Sequence, residues 1–213
     1  MTEISHNLLF FITLVTTLLI SVSCLKIAYI WKKRKLLFIN FFLLGTNYFL
    51  IFVFLSLWNY THNLFALIVG NMLLFIWVIL FSIGTFILLF PKKSPLDYAP
   101  LIYILIPFIY LFTRSVETTF IKTLDLSSLI ITFTFIKLIF FGKKLVKVAS
   151  TFGIIAGLIT IIYIFTVFAE LDARVYTLLF NAFLAVPFIG FLYISKNKPE
   201  QFLNTYNPKL DGN

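Results

Sequence analysis

The side chains able to do acid–base, metal or nucleophilic chemistry are few in this chain and poorly placed for it. None of the eight carboxylates falls in a predicted helix core: Glu3, Glu117, Asp125, Glu170, Asp172, Glu200 and Asp211 lie in predicted loops or tails, and Asp97 at the very start of a predicted span. The histidines, His6 and His62, both sit near predicted helix ends. A metal centre needs several such groups converging at one depth, which two loop histidines do not supply. Cys24 is the only cysteine, so neither an intramolecular disulfide nor a Cys-rich metal site can form. There is no Ser/His/Asp set, no HExxH and no phosphate-binding loop. The reading leans away from an enzyme, and no metal or cofactor is expected. Glu170, Asp172 and Asp125 make either a solvated rim or a cation-attracting entrance.

What remains is uncharged and polar, and it lies inside apolar segments. Asn40 and Asn47 are seven apart, so they share a face of one helix. Asn71 and Asn181 lie in two other segments. Tyr103 and Tyr110 flank Pro107, and Thr160 neighbours Tyr163. In hydrocarbon such groups turn toward protein, where a hydrogen bond contributes about 0.6–2 kcal/mol. They are either structural glue or the lining of an uncharged cavity. Asn47, Asn71, Tyr103, Tyr163 and Asn181 are the candidate ligand-binding set, suited to a small neutral or zwitterionic molecule. Proton and cation pumps keep ionisable groups in their helix cores. None is present here, which disfavours a proton-driven pump. The last predicted span has no lysine, which excludes a retinal Schiff base.

The elements that must position these residues are membrane helices. The chain has 213 residues, 61% hydrophobic and 12% charged, against about 45–50% and 25% for soluble domains. Apolar runs approach the 20 or so residues that cross a bilayer. We read seven helices, at 7–31, 36–58, 64–90, 96–112, 126–141, 148–169 and 175–194. They form one membrane domain, 1–195, followed by a flexible polar tail, 196–213. Pro107 is expected to kink the fourth span, and 113–125 to be the longest loop. Residues 1–6 carry no Lys or Arg, so a cleaved signal is not expected.

Basic residues orient the bundle. Leu25–Lys35 (LKIAYIWKKRK) is an apolar helix end running into Lys32, Lys33, Arg34 and Lys35. With the N-terminus outside, 14 of the 17 Lys and Arg fall on the cytoplasmic side, among them Lys143 and Lys144. Only Arg114, Lys122 and Arg174 lie outside. The net charge of +9 therefore reads as a topology signal and as contact with anionic headgroups, not as nucleic-acid binding. Lys26 and Lys137 reach the headgroups by snorkelling. Trp31 and Trp58 are placed like interfacial anchors, and Trp77 like a packing residue. The expected location is a multi-pass cell membrane, the inner one in a prokaryote.

Two further patterns concern architecture. Ile136–Lys144 (IKLIFFGKK) echoes Leu25–Lys33 (LKIAYIWKK) at an offset of 111, with all three lysines matched. Asn71 and Asn181 lie 110 apart. Either the chain is a parallel 3+1+3 duplication, or lysine at every inner helix end makes the echo by itself. The 3+1+3 layout resembles that of the SWEET and PQ-loop transporters and the related KDEL receptors. The chain contains no Pro-Gln pair, and no family motif is carried over. Ala149, Gly153 and Gly157 form a small-residue stripe, for packing within the chain or for a homodimer seam. The functional expectation is a small-solute transporter or permease with an uncharged central site. The alternative is a non-enzymatic receptor, sensor or membrane subunit.

Overall fold

The computed structural model describes residues 3–84, 116–165, 173–199 and 201, and every regular element among them is helical. The helices are α1 (Glu3–Ile30), α2 (Lys35–Thr61), α3 (Leu64–Ile79, continuing as a π turn over Leu80–Gly84), α4 (Val116–Phe141), α5 (Lys144–Phe165) and α6 (Ala173–Asn197). Four stretches are long and apolar enough to cross a membrane: Leu8–Ile30, Lys35–Trp58, Leu64–Ser82 and Leu178–Asn197. A shorter apolar stretch, Leu129–Phe141, lies in α4.

The distribution of side chains is that of a protein dissolved in lipid. The perimeter carries exposed Leu19, Val22, Phe42, Leu43, Ile76, Phe133, Phe140 and Ile189. The interior holds polar Thr17, Ser21, Asn40, Asn47, Ser82, Thr134 and Asn181. In water this arrangement would waste apolar surface. In hydrocarbon it places each polar group where protein can satisfy it. The protein is membrane-embedded and helical.

Short connections set the directions of the helices. Trp31–Arg34 turns α1 into α2, with Arg34 donating its backbone N–H to Trp31 O at 2.8 Å. His62 ends α2 in the left-handed region, φ 51°, donating its N–H to Trp58 O at 2.7 Å. Asn63 then caps α3, its Oδ1 accepting from the Phe65 N–H at 2.9 Å. Gly142 closes the α4–α5 turn, where a Cβ would strike Leu138 O and Val146. Phe81 of α3 touches Phe135 of α4 and Phe188 of α6, each in the later part of its helix. Helices α1, α3, α4 and α6 thus run one way, and α2 and α5 the other.

The six helices form a ring in chain order: α1 lies against α2, α2 against α3, α3 against α4, α4 against α5, α5 against α6, and α6 against α1. The α3–α4 seam is the thinnest. Close approach is possible where side chains are small. Ser21 Oγ donates to Gly45 O at 2.9 Å across α1 and α2, and a Cβ on Gly45 would come within 2.8 Å of Ser21 O. On α5, Gly153 faces the Phe135 ring and Gly157 faces Thr132, both on α4. Ala149 faces Gly190 on α6. The stripe Ala149–Gly153–Gly157 is buried inside this one chain.

Several boundaries differ from those read off the sequence. Residues 116–125, expected in a loop, are the first turns of α4. Glu117, Lys122 and Asp125 end the hydropathy signal there, but no Gly or Pro intervenes to end a helix. The basic loop expected over 142–147 is reduced to Gly142 and Lys143, and Lys144–Lys147 begin α5. Helix α6 runs to Asn197, past the expected start of the tail, and continues through Pro187. The proline supplies no N–H to the Phe183 carbonyl. The expected fourth span, 96–112, with Tyr103, Pro107 and Tyr110, lies outside the described residues, as does 202–213 of the tail.

Candidate functional site

Four of the buried residues inside the ring, Asn47, Tyr48, Trp77 and Asn181, lie near one level. Tyr48 of α2 donates its hydroxyl hydrogen to Asn181 Oδ1 of α6, and both residues are buried. The Tyr48 ring packs on Trp77 of α3, centroids 5.1 Å apart. The register of α2 on α3 is antiparallel, with Gly70 against Leu55 and Gly84 against Asn40. That register brings Asn47 level with Trp77. Both are buried, Asn47 at 7% exposure and Trp77 at 0%. Neither Asn47 Oδ1 nor Trp77 Nε1 has a hydrogen-bond partner among the described residues. An acceptor and a donor thus flank the Tyr48–Asn181 pair at one depth. Leaving such a group unmade in an apolar interior costs about 1–3 kcal/mol.

Why the chain builds the belt here follows from the α2 pattern. Leu37, Phe41, Leu44, Tyr48 and Ile51 recur at helical spacing and are buried on one face. Asn40 and Asn47 lie on the flank of that face turned to α3. Serine and threonine elsewhere satisfy themselves locally: Thr17 Oγ1 donates to Thr13 O at 2.8 Å and Thr134 Oγ1 to Ile130 O at 2.7 Å. In mid-helix the backbone N–H groups are taken up by the ladder, so the Asn47 Oδ1 acceptor has no local donor, and partners for it and for the Trp77 N–H must come from neighbouring helices or a ligand. Ser127, Ser150 and Ser195 also bury hydroxyls without a partner among the described residues, but on different helices and at scattered depths.

Of the five candidate ligand-binding residues, the structure brings Asn47 and Asn181 to the same belt. The side chains of Asn71 and Tyr163 lie outside the described residues, as does all of Tyr103. Tyr48 and Trp77 join the belt without having been among the candidates. Asn40 sits separately, toward the α1–α2 turn, with Nδ2 lacking a partner among the described residues. No group of three His, Cys, Asp or Glu that could hold a metal occurs among the described residues.

Below the belt the ring is filled by aromatic side chains. Trp77 stacks on Phe81 at 5.3 Å, Phe81 meets Phe135 at 5.0 Å and Phe188 at 5.6 Å, and Phe188 meets Phe191 at 6.1 Å. Trp77, Phe81, Phe135 and Phe188 are each at most 1% exposed. They come from α3, α4 and α6, so the plug crosses the bundle axis. Beyond it lies the basic end. Lys32, Lys33 and Lys35 at one turn, Lys144 and Lys147 at the other, Lys196 in the last turn of α6 and Lys198 just after it are all exposed. Arg34 and Lys143 are half-buried. Lys32 Nζ lies 4.8 Å from the Tyr29 ring centre, and Arg34 lies 6.0 Å from that of Trp31. Trp31, placed by the sequence as an interfacial anchor, is covered by the chain itself at 7% exposure.

One consequence is measurable without a ligand. Tyr48→Phe and Asn181→Leu are each expected to lower stability in detergent by about 0.6–2 kcal/mol. The double variant should cost less than the sum, because either change alone breaks the same bond. A double-mutant cycle from reversible unfolding checks this; strict additivity would mean the pair does not interact.

No family model, curated protein or solved structure matches this chain.

Proposed function

We propose that the protein is a multi-pass membrane permease for a small neutral polar solute, bound at the belt formed by Asn47, Tyr48, Trp77 and Asn181. The observation that carries this reading is the pair of buried polar atoms, Asn47 Oδ1 and Trp77 Nε1, level with the Tyr48–Asn181 hydrogen bond. One acceptor and one donor, with no carboxylate, imidazole or basic side chain among these four residues, suit a molecule that offers a donor and an acceptor of its own. An amide, a urea or a polyol fits that description better than an ion does. The Trp77 ring beside them would cover an apolar face of the solute.

In this reading the basic end faces the cytoplasm and the N-terminus lies outside, following the positive-inside rule. The lysine-rich turns, with Tyr29 and Phe140 exposed beside them, meet anionic headgroups there. The cyclic order of the helices supports a seven-span 3+1+3 duplication. Rotating the ring by half a turn carries α1, α2 and α3 onto α4, α5 and α6. It also carries the Lys32–Lys33 turn onto the Lys143–Lys144 turn. The unequal α3–α4 and α6–α1 seams are where the two halves differ.

A receptor or sensor is the second reading. It is favoured by the closed aromatic plug between the belt and the basic end, which suits ligand binding without passage. Solute flux separates the two. Proteoliposomes shrunk by a gradient of urea, glycerol or a small amide should re-swell faster than protein-free vesicles. Re-swelling at the protein-free rate for every solute of this class would overturn transport and leave sensing.

A further inference from the structure

We infer that Phe81 is a movable barrier between the polar belt and the basic end, carried on the π turn Leu80–Gly84. This rests on the belt being a site reachable by solute, and deepens that reading by assigning the residue that closes it.

Four observations converge on Phe81. It is at the centre of the plug, in ring contact with Trp77 on its own helix, Phe135 on α4 and Phe188 on α6. It is the one member of that set lying in a π turn. π turns are frequent at functional positions, because one extra residue is accommodated in the turn and the α ladder is broken there. Phe81 is the second residue of this turn, so a change of the turn between π and α pairing shifts the backbone that carries its ring. Third, the hydroxyl of Ser82, fully buried in the same turn, donates to Val78 O at 2.7 Å and lies 3.5 Å from Ile79 O. It occupies carbonyls that a changed ladder would claim. Fourth, Gly84 closes the turn against the Asn40 carboxamide, with no room for a Cβ. Asn40 Nδ2 is buried there without a partner among the described residues. A carboxamide beside a turn with a broken ladder can donate to a carbonyl exposed when the turn rearranges. Phe135 sits in regular α-helix and Phe188 follows Pro187 in α6; neither lies in a π turn, and they are the walls against which the Phe81 ring closes.

Thiol labelling tests the barrier without knowing the solute. In a Cys24→Ala background, Asn47→Cys places a single thiol in the belt. The probe is the membrane-impermeant trimethylammonium ethyl methanethiosulfonate, applied to right-side-out and inside-out membrane vesicles. With Phe81 present, labelling is expected from the end opposite the lysines only. With Phe81→Ala, labelling from the basic end should appear, at least ten-fold faster than before. Labelling from the opposite end that Phe81→Ala does not extend to the basic end would overturn the barrier and leave the belt. Labelling from both ends with Phe81 intact would do the same. No labelling from either end in either variant would overturn the barrier, and flux of the neutral solutes then decides the belt. Should Phe81→Ala fail to accumulate as a monodisperse protein, Phe81→Val carries the same comparison, with a smaller gain expected from the basic end. No gain with Val would overturn the barrier.

Discussion

Replacing Trp77 by Ala is expected to cost about 3–5 kcal/mol, the range for deleting a fully buried large aromatic side chain. Trp77 has no exposed surface, and its ring is in contact with Tyr48, Phe81 and Phe188 at centroid distances of 5.1, 5.3 and 5.9 Å. It ties α3 to α2 and α6 at the level where the polar belt meets the aromatic plug. In lipid the packing term matters more than it does in water, because the hydrophobic effect does not drive helices together there. A cavity at Trp77 removes contacts that nothing else replaces. Trp77→Phe keeps a ring on Phe81 while removing the indole N–H, which has no partner among the described residues. It should therefore cost much less than Ala. Unfolding in mixed micelles measures both variants. Equal losses for Ala and Phe would show that the N–H, and not the ring, holds the site together.

The second large effect is expected on the α4–α5 seam. Gly153→Leu and Gly157→Leu should each destabilise the monomer by about 1–3 kcal/mol, the usual range for forcing volume into a packed core. At Gly153 a side chain would enter the Phe135 ring, and at Gly157 it would meet Thr132, with Cα at 3.3 Å. The two sites are one helical turn apart on the same seam, so their costs should not add. Phe135→Ala is expected to recover part of the loss in Gly153→Leu, since it vacates the volume the leucine needs. A homodimer seam predicts something else: unchanged monomer stability and a shift in oligomeric state. Unfolding and light scattering on the same samples distinguish the two.

The membrane character of the chain was legible because it depends on composition and run length, which a sequence displays directly. The two tight turns were legible too, since the basic runs Lys32–Lys35 and Lys143–Lys144 sit at them. Helix ends were less so. Residues 116–125 looked like a loop because Glu117, Lys122 and Asp125 are polar, whereas a helix ends only where backbone geometry or capping ends it. The belt was half legible. Asn47 and Asn181 stand out as amides in apolar segments, but Tyr48 hides beside Asn47 in a chain with 10 tyrosines. A mid-span tyrosine next to an asparagine was the available signal. The plug was not legible at all. With 28 phenylalanines, nothing local distinguishes Phe81, Phe135 and Phe188, which meet across three helices, from the many that face lipid. The π turn that sets Phe81 apart arises from packing and leaves no mark in composition.

Binding of a small neutral molecule at the belt would show in a ligand-dependent stability screen. Purified protein would be melted against a library of neutral, zwitterionic and charged small molecules. A ligand at one hundred times its dissociation constant should add about 2.7 kcal/mol of apparent stability. The stabilising compounds are expected to be uncharged and to carry both a hydrogen-bond donor and an acceptor. Asn47→Leu and Trp77→Phe are expected to abolish the shift while each variant still unfolds cooperatively. Stabilisation by charged compounds alone, or by neutral ones equally well in both variants, would contradict binding at the belt.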